Sequence, residues 1–215
     1  MQHLIFDLDG TVSNPEVGIL NGYKYTFPKV NLTTPNDDVL KKLIGPPLRT
    51  VFEKMYGLSS AQAEFAITTY RVYYNELGGA YENELYIGMK ALLDCLFQQK
   101  RILHIATHKG AMAEQILTHF EIRKYFSQIQ HYNEEKGITT KEKMIELIMQ
   151  SEQITDKNNI VMIGDRNTDI EAANYHQIKS IGVTYGFGSK QELENTKPTF
   201  LVDTVAELHN ILHQK

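Results

Sequence analysis

His3-Leu4-Ile5-Phe6-Asp7-Leu8-Asp9-Gly10-Thr11-Val12 is the stretch from which the rest of the chain is read. Leu4-Ile5-Phe6 is a short apolar run, the pattern of a buried strand. Asp7 and Asp9 follow at once, and Gly10 permits a sharp turn. Residues two apart in a strand point the same way, so both carboxylates aim into one small space at a strand end. Close carboxylates raise each other's pKa unless something offsets the charge. A divalent cation is the simplest offset, and hard oxygen ligands suit Mg²⁺. Taken alone, Asp-x-Asp-Gly is also an ordinary polar turn capping a strand.

Three later segments carry matching chemistry. Thr107 ends the apolar run Ile102-Leu103-His104-Ile105-Ala106 and precedes His108-Lys109-Gly110 and a helix. A hydroxyl with free backbone N–H groups before a helix suits an anion, although Thr also serves as a helix N-cap. Lys141 opens a helix in Thr139-Thr140-Lys141-Glu142-Lys143-Met144-Ile145. A cation at a helix start opposes the macrodipole, which makes sense only beside an anion. Lys143 and Lys136 are the other lysines in reach of that role. Ile160-Val161-Met162-Ile163-Gly164 is a second buried strand; Asp165 ends it and Asp169 lies one helical turn on. Buried carboxylates need a partner, and a metal provides one.

In this order the four segments resemble the four motifs of the haloacid dehalogenase superfamily of phosphohydrolases: Asp7-Leu-Asp9-Gly-Thr-Val, then Thr107, then Lys141, then Gly164-Asp165-x-x-x-Asp169. The resemblance is closest to phosphoglycolate phosphatase-like members. Ile44-Gly45-Pro46-Pro47-Leu48 resembles their cap loop, and Tyr86-Ile87-Gly88-Met89 the segment that re-enters the core. Asn14-Pro15 stands where many members have Asp-Ser, and His108 where a small or amide residue is usual. The resemblance implies a Mg²⁺-dependent phosphate monoester hydrolase acting through an aspartyl-phosphate. Asp7 would be the nucleophile and Asp9 the general acid and base. Asp7, Asp9 through its backbone carbonyl, Asp165 and Asp169 would hold the metal. Thr107 and Lys141 would hold the phosphoryl group. His108 would lie near substrate, and Arg49, just after the cap loop, would reach a substrate anion.

The fold expected is a Rossmann-like α/β core, a parallel sheet with helices on both faces. From about Val17 to Tyr81 the apolar spacing is helical with no convincing strand. That block interrupts the alternation and is expected to be a helical C1 cap inserted after strand 1. The expected division is 1–14 and 83–215 for the core and 15–82 for the cap. Cap tyrosines such as Tyr70, Tyr73 and Tyr74 are expected to pack between helices. In open parallel sheets ligands bind beyond the carboxyl ends of the strands, where Asp7, Thr107 and Asp165 all fall.

Composition excludes several classes. The 215 residues are 42% hydrophobic and 22% charged, ordinary for a globular chain. A net charge of −4 with both signs scattered leaves no footprint for nucleic acid. No apolar run approaches the ~20 residues of a membrane span. There is no cationic segment followed by an apolar stretch, so no secretory signal is expected. Cys95, the single cysteine, has no partner for an internal disulfide and is expected to pack in a helix, which fits the cytoplasm. Of the histidines, His3, His104, His119, His131, His176, His209 and His213 are read as structural, without metal-ligand spacing. The expected partner is a small phosphorylated metabolite, acted on by a monomer or homodimer. The alternatives are a β-phosphoglucomutase-like phosphosugar mutase, a pyrophosphatase or 5'-nucleotidase of the same superfamily, and a non-catalytic phospho-switch module.

Overall fold

The computed structural model describes residues 1–213; the last two positions of the expected core, 214 and 215, lie outside the described residues. Strand β1 (His3–Phe6) is followed by the short β2 (Ser13–Asn14) and then by helices α1 (Glu16–Thr26), α2 (Asp37–Lys41) and α3 (Ser60–Arg71). After the short β3 (Glu84–Leu85) the chain alternates: α4 (Met89–Gln98), β4 (Ile102–Thr107), α5 (Met112–His119), β5 (Phe126–His131) and α6 (Lys141–Ser151). It continues through β6 (Ile160–Gly164), α7 (Asn167–His176), β7 (Lys179–Val183), α8 (Lys190–Thr196), β8 (Phe200–Val202) and α9 (Val205–His213).

The alternating part is one unit, formed by Met1–Asn14 and the chain from Leu85 onward. Its sheet has the order β5-β4-β1-β6-β7-β8, and every pairing recorded within it is parallel. β1 lies between β4 and β6, with His3 opposite Ile102 on one side and Ile160 on the other. Both β1 and β6 are buried throughout, which is why their sequences read as continuous apolar runs rather than alternating ones. Ile5, Ala106, Met162, Met144, Ile145, Ile148, Ala172 and Ala173 form a core on the face covered by α6 and α7. α8 is the element that apolar spacing did not announce: Leu193 is its one buried residue, too little for a periodic stripe.

Pro15–Glu84 forms the second unit. Tyr23, Phe27, Phe52 and Tyr70 build its core, with ring centroids 5.2 to 6.1 Å apart. The Tyr23 hydroxyl donates to the Leu43 carbonyl oxygen at 3.2 Å, which gives this buried phenol a partner. Tyr70 and Tyr74 are buried, as helix packing requires. Ser59 and Gln62 close a capping box at the start of α3. Thr50–Met55 winds more widely than an α-helix, and Tyr56 N–H donates to the Val51 carbonyl, five residues back, at 3.1 Å. Among the described residues no helix is long and apolar enough to cross a membrane.

Candidate active site

Three neighbouring strands deliver the expected residues to one edge of the sheet. Asp7 follows β1, Thr107 ends β4 and Asp165 follows β6. The Asp7 N–H donates to the Ile163 carbonyl at 2.9 Å, so the β1–β6 ladder runs up to the carboxylate itself. Leu8 is fully buried between Asp7 and Asp9, the alternation of a strand continuing into the turn. Gly10 then adopts φ +85°, and a Cβ there would lie 2.2 Å from Asp165 Oδ2. Only glycine lets the turn approach that carboxylate so closely.

Oxygens of Asp7, Asp165 and Asp169 all lie within 4.8 Å of one another, and all three residues are buried. Lys141 meets them at the first position of α6. Its Nζ is 2.8 Å from Asp7 Oδ1 and 2.7 Å from Asp169 Oδ1, and it donates to the Ala106 carbonyl at 2.8 Å. The side chain is 2% exposed. This is the anion that a lysine at a helix start requires. Lys143 instead pairs with Glu146 at 3.0 Å on the surface, which separates the two candidates. Thr140 caps the helix, its hydroxyl accepting from Lys143 N–H at 3.3 Å.

Asp9 is turned toward a residue outside the expected set. Lys109 Nζ lies 2.5 Å from Asp9 Oδ2, while Asp9 Oδ1 is buried with no hydrogen-bond partner. Burial pushes the Asp9 carboxyl up and Lys109 pulls it down, with a net upward shift. Thr107 is buried, and its Oγ1 accepts from Lys109 N–H at 3.2 Å. His108 is exposed on the turn that follows.

Arg49 belongs to the helical unit. Its guanidinium is shared by Glu53, at 3.0 Å, and Glu64, so two carboxylates already take up its fork. The loop after β7 was not expected at the site. Phe187 N–H donates to Asp165 Oδ2 at 2.8 Å, and Thr11 Oγ1 donates to Asp165 Oδ1 at 3.3 Å. A Cβ on Gly186 would fall 2.3 Å from the Gly10 carbonyl oxygen, so this glycine sets how near the loop comes. Gly186 and Gly188, shortly after β7, mark a closely approaching loop in the sequence, but nothing there marks Phe187 itself. His209 and His213, expected to be structural, stand four apart on α9 with ring centroids 3.9 Å apart, and gather with Cys95. His3 and His104, by contrast, stack against each other and are buried.

The electrostatics of the carboxylate cluster call for more positive charge than one lysine. Burial first, and then the charges of Asp7 and Asp169, push Asp165 up to about 8. Burial likewise pushes Asp169 up to about 6 against the pull of Lys141. For Lys141 burial opposes the charge, but Asp169 and Asp7 outweigh it and the titration moves up. Three buried carboxylates therefore face one ammonium, and the donor set is entirely hard oxygen. It fits a cation of the Mg²⁺ kind.

In an open parallel α/β sheet, a cluster at the carboxyl ends of the strands lies where ligands bind. Residues 4–183 match the family model of haloacid dehalogenase-like hydrolases, and the chain belongs to that family. It is 34% identical over 211 residues to a 5'-nucleotidase of Pseudomonas aeruginosa, covering 98% of this chain and 95% of that one. It is 30% identical over 215 residues to the tyrosine-protein kinase PtkA of Mycobacterium tuberculosis, covering 98% and 72%. A phosphoglycolate phosphatase of Agrobacterium fabrum is 27% identical over 221 residues, with 98% and 92% covered. Among solved structures, a candidate phosphatase from Clostridium difficile superposes with a TM-score of 0.92 at 34% identity, covering 98% of each chain. The protein is a phosphatase-type hydrolase of this family.

Proposed function

We propose that the protein hydrolyses a small phosphate monoester in two displacements through a phosphoryl group carried on Asp7. The observation that carries this reading is the meeting of Asp7, Lys141, Asp165 and Asp169 at one strand edge, beside Asp9. Both hydrogen-bonding contacts described for Asp7, from Leu8 N–H at 2.7 Å and from Lys141, fall on Oδ1. Oδ2 would therefore be the attacking oxygen. The new bond joins Asp7 to phosphorus, and the ester P–O bond breaks. Asp9 donates a proton to the departing oxygen. Water then attacks phosphorus, Asp9 takes its proton, and inorganic phosphate leaves with Asp7 restored. Lys141 and the Thr107 hydroxyl stabilise charge on the phosphoryl oxygens. Lys109 positions the Asp9 carboxylate.

Asp7, Asp165, Asp169 and the Asp9 carbonyl would hold Mg²⁺. Bound there, it would neutralise the repulsion between nucleophile and phosphate. The helical unit Pro15–Glu84 would act as a C1 cap that selects the substrate, with Arg49 and His108 contributing to substrate binding. The reaction fits a chain of the cytoplasm, where Cys95 stays reduced.

Phosphoglycolate is the first substrate to test. A nucleoside 5'-monophosphate is the second reading, favoured by the likeness to the Pseudomonas 5'-nucleotidase over nearly the whole of both chains. The experiment is phosphate release from a panel of phosphoglycolate, nucleoside monophosphates, sugar phosphates and pyrophosphate, with Mg²⁺ and with EDTA. Rapid Mg²⁺-dependent multiple turnover of one monoester is the expected result. Turnover of a sugar phosphate only in the presence of its bisphosphate would make it a mutase. No turnover with any ester, together with stable phosphorylation of Asp7, would make it a switch.

A further inference from the structure

Away from the carboxylate cluster, α4 and α9 pack against each other and bury Leu92 and Leu96 from one, Leu208 and Leu212 from the other. At the margin of this contact stand Cys95, His209 and His213, each part-exposed, with one ligand atom apiece lying within 4.8 Å of the other two. We propose that Cys95, His209 and His213 form a second metal site, one for a thiophilic divalent ion such as Zn²⁺, which ties α9 to α4.

The spacing and the atoms both support it. His209 and His213 are one helical turn apart, so their rings project from the same face of α9. Cys95 Sγ lies 3.3 Å from His213 Nε2. Ordinary zinc–sulfur and zinc–nitrogen bonds at a tetrahedral centre place these two atoms ~3.6 Å apart. His213 Nδ1 is 2.8 Å from the His209 carbonyl oxygen and, having only that acceptor to face, donates to it. The proton is thereby fixed on Nδ1, and the Nε2 lone pair is turned to the thiol. An imidazole whose far nitrogen donates to a backbone carbonyl is how metal-bound histidines are held. Gln99 Nε2 also approaches His213 Nε2, at 2.6 Å, so one lone pair faces two potential donors. A cation in their place satisfies sulfur and nitrogen together. The thiol proton is released on binding, and a water or the Gln99 carbonyl oxygen completes the coordination. Thiolate and imidazole donors select zinc-like ions over Mg²⁺, so the two sites differ in the metal they take.

The single cysteine makes the test specific. Co²⁺ is titrated into the reduced, tag-free full chain in excess Mg²⁺, and thiolate-to-cobalt charge-transfer absorption is followed. The expected result is a band that saturates at one equivalent and vanishes in Cys95→Ser. His209→Ala and His213→Ala should each weaken Co²⁺ binding by ~100-fold or more, beyond the ~10–100-fold that loss of an outer-shell partner brings. All three variants should keep wild-type phosphatase turnover. Zn²⁺ should raise the thermal midpoint of the wild type but not of Cys95→Ser. Absence of the band from a folded wild-type chain, or a band unchanged in both histidine variants, would overturn the site.

Discussion

Lys141 Nζ sits 2.8 Å from Asp7 Oδ1, at the first residue of a helix and with its side chain almost wholly buried. The contact joins the start of α6 to the end of β1 and gives a buried carboxylate its counter-charge.

Removing that ammonium has two consequences. Lys141→Met leaves Asp7 and Asp169 buried without their cation, which costs about 3–5 kcal/mol. It also removes a donor to the phosphoryl oxygens, so kcat should drop ~10²–10³-fold. Lys141→Arg should fail to restore kcat, because a planar fork does not fit a space shaped for a single point charge. Chemical denaturation and steady-state kinetics of the two variants check both effects; wild-type kcat in Lys141→Met would remove the lysine from the reaction.

Asp7 and Asp9 should separate cleanly in rapid-quench and intact-mass experiments. Asp7→Asn has no nucleophile and should form no phosphoenzyme. Asp9→Asn keeps the nucleophile but loses proton transfer, typically worth ~10²–10⁴-fold. With a good leaving group it should release a burst and retain phosphate on Asp7. A phosphorylated Asp7→Asn chain would reverse the assignment.

The carboxylate cluster predicts how stability responds to pH and chelation. Asp165 and Asp169 titrate higher in the folded chain than in the unfolded one. The folded state then binds more protons, so stability falls as pH rises. Their contribution is complete below about pH 4, and it is lost as pH passes about 6 for Asp169 and about 8 for Asp165. In EDTA the thermal midpoint should therefore decline across that window. Mg²⁺ should flatten the decline by stabilising the ionised forms. An identical pH profile with and without Mg²⁺ would remove the cation from this cluster.

Gly10→Ala tests the turn. Its Cβ would meet Asp165 Oδ2 at 2.2 Å on a backbone with φ +85°. The variant should lose stability by ~1–3 kcal/mol and need far more Mg²⁺ for half-maximal activity. Unchanged Mg²⁺ dependence would mean that Asp165 does not bind the ion.

The sequence was legible where one residue type at one spacing has few uses. Asp7, Asp9, Asp165 and Asp169 follow apolar runs whose burial on both faces leaves a plain signal. Lys141 was identifiable because its charge is wrong for a helix start without a nearby anion. Phe187 was invisible because it acts through its backbone N–H, which carries no residue signature. Lys109 adjoined a named motif, but its reach to Asp9 depends on the curvature of the turn after Thr107. Cys95 and His213 are 118 residues apart and share no local pattern. The wide turn at Thr50–Met55 has the same composition as an ordinary amphipathic helix.

The central place of β1 bears on the order in which the protein assembles. His3 pairs with Ile102 and with Ile160, so the strand that carries Asp7 precedes both of its neighbours by a long stretch of chain. Until β4 and β6 exist, β1 is an apolar segment with two unsatisfied edges. Contacts so distant in sequence slow folding, because a long loop must close before any pairing repays it. The helices of residues 16–71 close shorter loops than β1 does and can form first. Asp7 is thus among the earliest residues of the chain and among the last to reach its final surroundings, and catalytic competence should arrive late in refolding, after most of the helical signal.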